Sequence, residues 1–202
     1  LQMFVNLKNK KFILNFLVLI NFLFVFSLSP MEIESSNMHR LIVSFVEPIN
    51  AFEWIVVNDN VMGGISRSRV SINPDGYMLF NGNVSLEYGG GFASVRSSYQ
   101  NWEIGNFDGF VIKVWGDGKS YQFRCRMGNN FNSVAYRHYF KTNNENWQEI
   151  RLPFSKFVPT YRGRILSDLK PLDPKEIRNL GFMISDKQSG TFNLKIAWIG
   201  VY

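Results

Sequence analysis

Three aspartates stand in motifs where a carboxylate could take part in chemistry: Asp59, Asp117 and Asp186. Two carboxylates that converge in a cleft can act as the general acid and the general base of a hydrolysis. All three, however, lie in polar, turn-like segments, where an Asp side chain commonly hydrogen-bonds nearby backbone amides. We therefore favour a structural role over a hydrolase that uses Asp59 with a second carboxylate. No Asp-x-Asp-x-Asp-Gly loop indicates a calcium site.

The residues that could act as nucleophiles or hold a cofactor also lack the required motifs. Cys125 is the single cysteine, and it stands in an alternating run that predicts a core position. The only histidines are His39 and His138, and no motif joins either of them to the thiol. Ser66 and Ser94 lack a Gly-x-Ser-x-Gly elbow, and the glycine-rich segments do not form Gly-x-Gly-x-x-Gly. The sequence therefore predicts no enzyme, no cofactor and no metal site.

Aromatic and basic residues are the better candidates for binding. Five tryptophans are many for 202 residues; most should be in the core, but one or two on an open face could stack on a sugar or contact a protein. Arginines on nearby strands could anchor polar groups, or could instead form cross-strand ion pairs with Glu87 or Glu149. The residues predicted to bind a ligand or a partner are Trp54, Asp59, Arg96, Trp115, Arg124 and Arg126.

The hydrophobic pattern beyond residue 52 has mostly a period of two, as in the run from Tyr121 to Arg126. About ten such runs, separated by short turns, predict an all-β protein, an antiparallel β-sandwich of about ten strands. Asp117-Gly118 predicts a hairpin turn, and residues 173–180 predict a helix of about two turns. The predicted structural turns contain Gly63, Gly64, Gly90, Gly91, Asp117 and Gly118, and positive φ is expected at their glycines.

The N-terminal part has a different character. Residues 12–28 are uncharged and strongly apolar, and they follow Lys8, Lys10 and Lys11, as in an export signal or a membrane anchor. We predict a signal peptide or anchor in residues 1–30 that forms a hydrophobic helix, a linker in 31–49 and a domain in 50–202. Export or membrane anchoring through residues 12–28 would follow. The alternative is a soluble intracellular or organellar protein, if the biological start is Met31 or Met38.

The net charge of +6 does not indicate a nucleic-acid partner. The three lysines before residue 30 contribute half of it, so that the remaining chain is only mildly basic. No run of Lys and Arg forms an electrostatic footprint.

Six motifs occur in a fixed order and carry a family resemblance. They are VNDNVMGGIS (57–66), GGFASVR (90–96), GDGKSY (116–121), LPFS (152–155), RGR (162–164) and SDKQSGTF (185–192). The series resembles the domain of the complex I intermediate-associated protein 30 family over about residues 50–202. The resemblance implies a galactose-binding-like β-sandwich, a jelly roll. It also implies a role like that of the best-known members, which are assembly chaperones for respiratory complex I in mitochondria.

These observations predict a non-enzymatic, protein-binding assembly factor. Its partner would be a client protein such as a respiratory complex I subunit, and residues 12–28 would hold it at a membrane. The alternative is an exported carbohydrate-binding module of the jelly-roll type, since a sandwich with exposed aromatic residues can also bind a sugar.

Overall fold

The computed structural model describes residues 39–46, 53–130 and 132–202. This part of the chain forms thirteen β-strands and four short 3-10 helices. The strands are β1 (Arg40–Ser44), β2 (Trp54–Asn58), β3 (Arg67–Asn73), β4 (Tyr77–Val84), β5 (Ala93–Ser97), β6 (Gly109–Asp117), β7 (Ser120–Met127), β8 (Ala135–Lys141), β9 (Asn144–Pro153), β10 (Val158–Tyr161), β11 (Arg164–Ile165), β12 (Ile177–Ile184) and β13 (Gly190–Val201). The 3-10 helices are Asp59–Met62, Glu87–Gly89, Phe154–Lys156 and Pro174–Glu176.

The strands form two sheets, and all their pairings are antiparallel. The six-stranded sheet has the order β3-β4-β13-β6-β9, with β1 also paired to the long strand β13. The seven-stranded sheet has the order β11-β10-β8-β7-β12-β5-β2. The predicted all-β sandwich is thus confirmed, with thirteen strands in the described residues where about ten were expected.

One hydrophobic core joins the inner faces of the two sheets. Phe110 on β6 and Phe123 on β7 meet across it, with 4.8 Å between their ring centroids, and Phe182 on β12 lies 5.2 Å from Phe123. Cys125 is fully buried beside them, as predicted, and burial raises the pKa of its thiol. Because Tyr121, Phe123 and Cys125 point into the core, the alternate residues of β7 point outward.

Two local predictions were wrong, because tertiary packing decided them. Asp117-Gly118 does not close a hairpin: it leads from β6 in one sheet to β7 in the other. Asp173 does cap a helix, since its side chain accepts a hydrogen bond of 2.9 Å from the Lys175 N–H. That helix is only Pro174–Glu176, however, because Ile177 begins a core strand.

The predicted N-terminal helix lies outside the described residues. No helix within residues 39–46, 53–130 and 132–202 has the length and apolar content that a membrane span requires. Strand β1 lies inside the stretch 31–49, the predicted linker, and pairs with β13.

Candidate functional site

A buried carboxylate joins the two glycine-rich loops at one end of the sandwich. Asp59 is fully buried, and its Oδ1 accepts a hydrogen bond of 2.9 Å from the Ser66 N–H. Its Oδ2 accepts from the Ser66 hydroxyl, from the Gly91 N–H at 2.6 Å and from the Phe92 N–H at 3.2 Å. The Ser66 hydroxyl oxygen in turn accepts from the Ser85 N–H at 2.9 Å. Asp59 thus binds its own chain, as the turn interpretation of the sequence expected.

Hydrogen bonds stabilise the negative charge of the buried Asp59 carboxylate. Burial alone would raise the pKa of this carboxyl, but the hydrogen bonds from Ser66, Gly91 and Phe92 lower it further than burial raises it. The net result is a pKa below the usual value of 3.8. The carboxylate is therefore ionised at neutral pH and serves as the acceptor for both loops.

Glycine is needed beside this carboxylate for two different reasons. Gly63 takes a φ of +93°, as predicted, but neither Gly64 nor Gly90 has a positive φ. A Cβ on Gly64 would lie 2.4 Å from the Asp59 Cγ and 2.8 Å from the Gly90 Cα. The prediction of a positive φ at Gly64 was therefore wrong. Glycine is needed at this position because a side chain would keep the two loops from making contact.

The two joined loops expose a set of large apolar side chains, which we name the apolar rim. Its members are 44% to 74% exposed. They are Val61, Met62, Ile65, Leu86 and Tyr88. Tyr88 also has a φ of +53°, a conformation that costs about 1 kcal/mol for a residue with a side chain. Sequence reasoning missed the rim, because alternation marks strand faces and gives no signal for exposure on loops.

Three of the predicted binding residues come together on the outer face of the seven-stranded sheet. Arg96 on β5 and Arg124 on β7 both pair with Gly181 of β12, so that the glycine lies between them in one row. Arg126 lies two residues further along β7 and donates to the Asn179 Oδ1 at 3.2 Å. We name this set the arginine face.

At the centre of this face Arg126 is buried and Arg124 is half-buried, and neither has an acidic partner among the described residues. Burial, together with neighbouring guanidinium groups, lowers the pKa of Arg124 to about 10 and that of Arg126 to about 9. Among the described residues neither forms an ion pair, and the Nε of each is buried without a hydrogen-bond partner. Glu149 pairs instead with Lys113 at 3.7 Å.

The other predicted binding residues lie elsewhere. Trp54 packs against the core, with its ring centroid 6.4 Å from that of Phe182. Trp115 lies on the opposite, six-stranded sheet, where the Lys195 Nζ is 4.2 Å from its ring centroid. Trp147 is its cross-strand neighbour and is 43% exposed.

The outer face of the six-stranded sheet also has an open groove with a volume of about 610 Å³. Asn81, Asn83 and Arg67 line it, together with Asp117 at its end. The Asp117 carboxylate accepts from the Tyr121 hydroxyl at 2.9 Å and from the Asn193 N–H at 3.0 Å. This aspartate therefore ties β6 and β7 to β13.

Within the described ranges, the acidic residues do not assemble a site for a metal. Within the part of the chain that the structure describes, no three His, Cys, Asp or Glu side chains are grouped for one ion. Asp186 accepts from the Tyr139 hydroxyl at 3.2 Å and from the Ser185 hydroxyl at 2.9 Å. Asp59, Asp117 and Asp186 are thus each engaged with different partners of their own.

Comparison with solved structures identifies the structural class of the chain. The chain resembles the family 11 carbohydrate-binding module of a cellulosomal cellulase of Clostridium thermocellum, with a TM-score of 0.58 and 13% identity over 81% of this chain and 94% of that one. The same kind of module in complex with a mixed-linked tetrasaccharide gives a TM-score of 0.58 and 14% identity, over 82% of this chain and 96% of that one. At such identities the likeness shows the fold alone, a galactose-binding-like β-sandwich.

Comparison of sequences assigns the chain to a protein family. The profile of the family Complex I intermediate-associated protein 30 matches residues 43–196, and the chain belongs to this family. The mouse protein "Complex I intermediate-associated protein 30, mitochondrial" is 28% identical over 86% of this chain and 59% of its own length. A probable complex I intermediate-associated protein 30 of Caenorhabditis elegans is 29% identical over 65% of this chain and 44% of its own length. The chain therefore spans about half the length of these relatives.

These relatives correct the predicted location. Both are named as mitochondrial proteins. An exported or membrane-anchored protein, inferred from residues 12–28, is therefore wrong; those residues lie outside the described part of the chain.

Proposed function

We propose that this chain is a non-enzymatic assembly factor that binds a subunit or an assembly intermediate of respiratory complex I in mitochondria. The observation that carries the proposal is the apolar rim, whose five large side chains project from the two loops that Asp59 joins. Exposed groups of large apolar side chains on a soluble fold commonly mark a surface for a protein partner. The names of the relatives supply the class of partner.

The loops that carry the rim are held in place before any partner arrives. Two hydrogen bonds to one buried carboxylate, from the Gly91 and Phe92 N–H groups, and a third from the Ser85 N–H to the Ser66 hydroxyl connect residues 59–66 to residues 85–92. A partner therefore meets a surface whose backbone is already ordered, and binding loses less conformational entropy than it would with free loops. The positive φ of Tyr88 agrees with this proposal, since local strain is commonly held at functional loops.

The test is affinity capture of the tagged full chain from mitochondria of its own host, with mass spectrometry of the recovered proteins. We expect complex I subunits in stoichiometric amounts. The double variant Met62→Ser/Tyr88→Ser should lower their recovery at least tenfold, because both side chains are more than 60% exposed in the free protein.

The matched control is Ile72→Ser on β3, which also removes a large exposed side chain, here 54% exposed, away from the rim. Its capture should equal that of the unaltered chain, and all variants should keep the melting temperature within about 2 °C, as surface substitutions usually do. Equal recovery by the rim variant, or the absence of complex I subunits from every eluate, would refute the proposal.

Carbohydrate binding is the second candidate, and two observations on the six-stranded sheet favour it: the groove lined by Asn81 and Asn83, and the exposed Trp147 on β9. Amide side chains in a groove can hydrogen-bond sugar hydroxyls, while aromatic rings can stack on the sugar ring. We rank it second because the Lys195 ammonium lies over Trp115, 4.2 Å from its centroid, and over Tyr77, 5.1 Å from its centroid. A glycan array probed with the unaltered chain and with Trp147→Ala tests this candidate. Binding of a glycan by the unaltered chain that is lost in Trp147→Ala would favour the carbohydrate-binding function.

A further inference from the structure

We propose that an extended, acidic segment of the protein partner runs from the apolar rim into the open groove of the six-stranded sheet, where Arg67 and Arg69 pair with its carboxylates. This inference rests on the proposed function, because it takes the partner at the rim to be a protein. It goes further by naming the chemistry of the segment that the partner contributes and the path that the segment follows.

The first observation is the charge of the groove. Arg67, Arg69 and Lys119 line it, and Asp117 is the only acidic residue among the described residues that do so. The Lys119 Nζ lies 3.2 Å from the Asp117 carboxylate, so that these two charges compensate each other. Arg67 and Arg69 are exposed, and neither belongs to a salt bridge between described residues. The groove therefore keeps two positive charges to which a carboxylate of a partner can bind.

The second observation is the spacing of the polar side chains. Arg67 and Arg69 alternate along β3, and Asn83 and Asn81 lie opposite them on β4. The Arg69 Nε donates to the Asn81 Oδ1 at 3.1 Å, which orients the guanidinium and leaves its Nη groups for another acceptor. Two residues of a strand advance about 6.6 Å, so an extended segment laid along β4 brings one side chain to each of these two rows.

The third observation is that the groove leads to the apolar rim. A second hollow of about 420 Å³ is lined by Asn83, Ser85, Leu86 and Glu87, among others. Asn83 lines both hollows, and Leu86 is a member of the rim. The path from Asn81 to Leu86 is at most about 17 Å long, which five or six extended residues can span. Because Glu87 lies at the rim end, the carboxylates of the segment belong at the groove end and its apolar side chains at Leu86.

Other occupants fit this path less well. A neutral sugar would satisfy the Asn side chains but would leave the charges of Arg67 and Arg69 without a partner. It would also meet the Lys195 ammonium over the ring of Trp115, 4.2 Å from its centroid, where a sugar ring would have to stack. An acidic carbohydrate can pair with the arginines but has no apolar side chain for Leu86. An acidic polypeptide supplies both kinds of group.

The experiment titrates the full chain with defined peptides and follows its ¹H–¹⁵N spectrum. The probe is a peptide in which two leucines precede three Glu-Ser pairs, and the peptide of reversed order covers the opposite chain direction. The control peptides contain Gln in place of Glu. We expect saturable shifts of the backbone amides of residues 67–69 and 81–86. The Gln peptides should bind at least tenfold more weakly, because they keep the shape and lose the charge, and added sodium chloride should weaken binding of the Glu peptide.

Substitutions separate the charges of the groove from the net charge of the chain. Arg67→Gln/Arg69→Gln should weaken binding of the Glu peptide at least tenfold, and Arg67→Lys/Arg69→Lys, which keeps both charges, should recover part of the affinity. The matched control is Arg162→Gln/Arg164→Gln, which removes the same charge from exposed positions near β11 in the other sheet and should leave the affinity unchanged. All variants should keep the melting temperature within about 2 °C, since the side chains are on the surface.

Capture from mitochondria distinguishes this inference from the proposed function. Arg67→Gln/Arg69→Gln should lower the recovery of complex I subunits several-fold, whereas Arg162→Gln/Arg164→Gln should retain it. Equal recovery by both variants, with no binding of the Glu peptide, would overturn the inference and leave the function of the rim intact. Absence of complex I subunits from every eluate, with the Glu peptide bound in the groove, would refute the proposed partner and support the acidic segment.

Further results would also overturn the inference. They are equal affinity for the Glu and Gln peptides, unchanged affinity in Arg67→Gln/Arg69→Gln, and shifts that map to the seven-stranded sheet. Tighter binding of trigalacturonate than of the Glu peptide at the same residues would assign the groove to an acidic carbohydrate. A dimer that the arginine substitutions dissociate, measured by analytical ultracentrifugation, would assign it to a second copy of this chain.

Discussion

Replacing Asp59 by Asn should reduce the stability of the whole domain and change its response to acid. The Asn side chain has nearly the same shape, but it carries one acceptor oxygen and one donor amide where the carboxylate has two acceptors. Four donors face this group: the Ser66 N–H and hydroxyl, the Gly91 N–H and the Phe92 N–H. An amide cannot satisfy them all.

The magnitude follows from these four contacts. If the Asn oxygen takes the place of Oδ2, the Ser66 N–H loses its acceptor, which costs about 1 to 3 kcal/mol for a buried donor. The other three contacts become neutral hydrogen bonds, which are roughly half as strong as charge-assisted ones, a loss of about 0.5 to 1 kcal/mol each. Asp59→Asn should therefore lower the free energy of unfolding by about 3 to 5 kcal/mol, a large part of the 5 to 15 kcal/mol typical of a domain.

The pH dependence gives an independent check. Since the folded-state pKa of Asp59 lies below its unfolded value of 3.8, its contribution to stability is complete well above pH 4 and is lost as the pH falls through the folded pKa. The difference in free energy of unfolding between the unaltered chain and Asp59→Asn should thus be largest near neutral pH and should shrink below about pH 4.

The assay is urea denaturation followed by tryptophan fluorescence, from pH 7 down to pH 2.5. The matched control is Asp75→Asn, an exposed aspartate in the turn between β3 and β4, which should differ from the unaltered chain by less than about 0.5 kcal/mol. A loss below about 1 kcal/mol for Asp59→Asn, or a difference that does not depend on pH, would refute the reasoning.

Two further predictions follow from the same structure. Gly64→Ala should destabilise the domain by about 3 kcal/mol or more, because its Cβ would lie 2.4 Å from the Asp59 Cγ. The control Gly63→Ala should cost only about 1 to 2 kcal/mol, because Gly63 has a positive φ but open space around it. Equal losses of the two variants in urea denaturation would contradict the steric argument. Cys125 should not react with a thiol-specific maleimide in the folded protein, because the thiol is buried and its pKa is raised, and it should react fully in denaturant. Labelling of the folded protein within minutes, measured by intact mass spectrometry, would show that the core opens.

The strand pattern could be predicted because the alternation of apolar and polar residues within each strand indicates which side faces the core. The alternation of Tyr121, Phe123 and Cys125 with polar residues places Arg124 and Arg126 on the opposite side of β7 without any tertiary information. The residue types of Asn73-Pro74-Asp75-Gly76 are likewise typical of a β-turn without any tertiary information. It connects β3 to β4 with a hydrogen bond of 3.0 Å from the Gly76 N–H to the Asn73 carbonyl.

The candidate sites were predictable only in part, because their members meet through long-range contacts. Asp59 was recognised as a turn residue, but its acceptor role depends on Gly91, 32 residues further along the chain. The hairpin predicted at Asp117-Gly118 was wrong for the same reason. Local residue types allow a tight turn there, whereas only the packing of two sheets decides whether the next strand returns to the same sheet.

The sequence by itself determined the family motifs, the alternation that separates core from surface, and the glycines without which the two loops could not touch. Only the tertiary structure decided that β5, β12 and β7 are neighbours, and that Gly181 therefore separates Arg96 from Arg124. The physical reason is that a period of two assigns a side chain to a face of a strand, whereas the order of strands in a sheet depends on the burial of all their apolar faces at once.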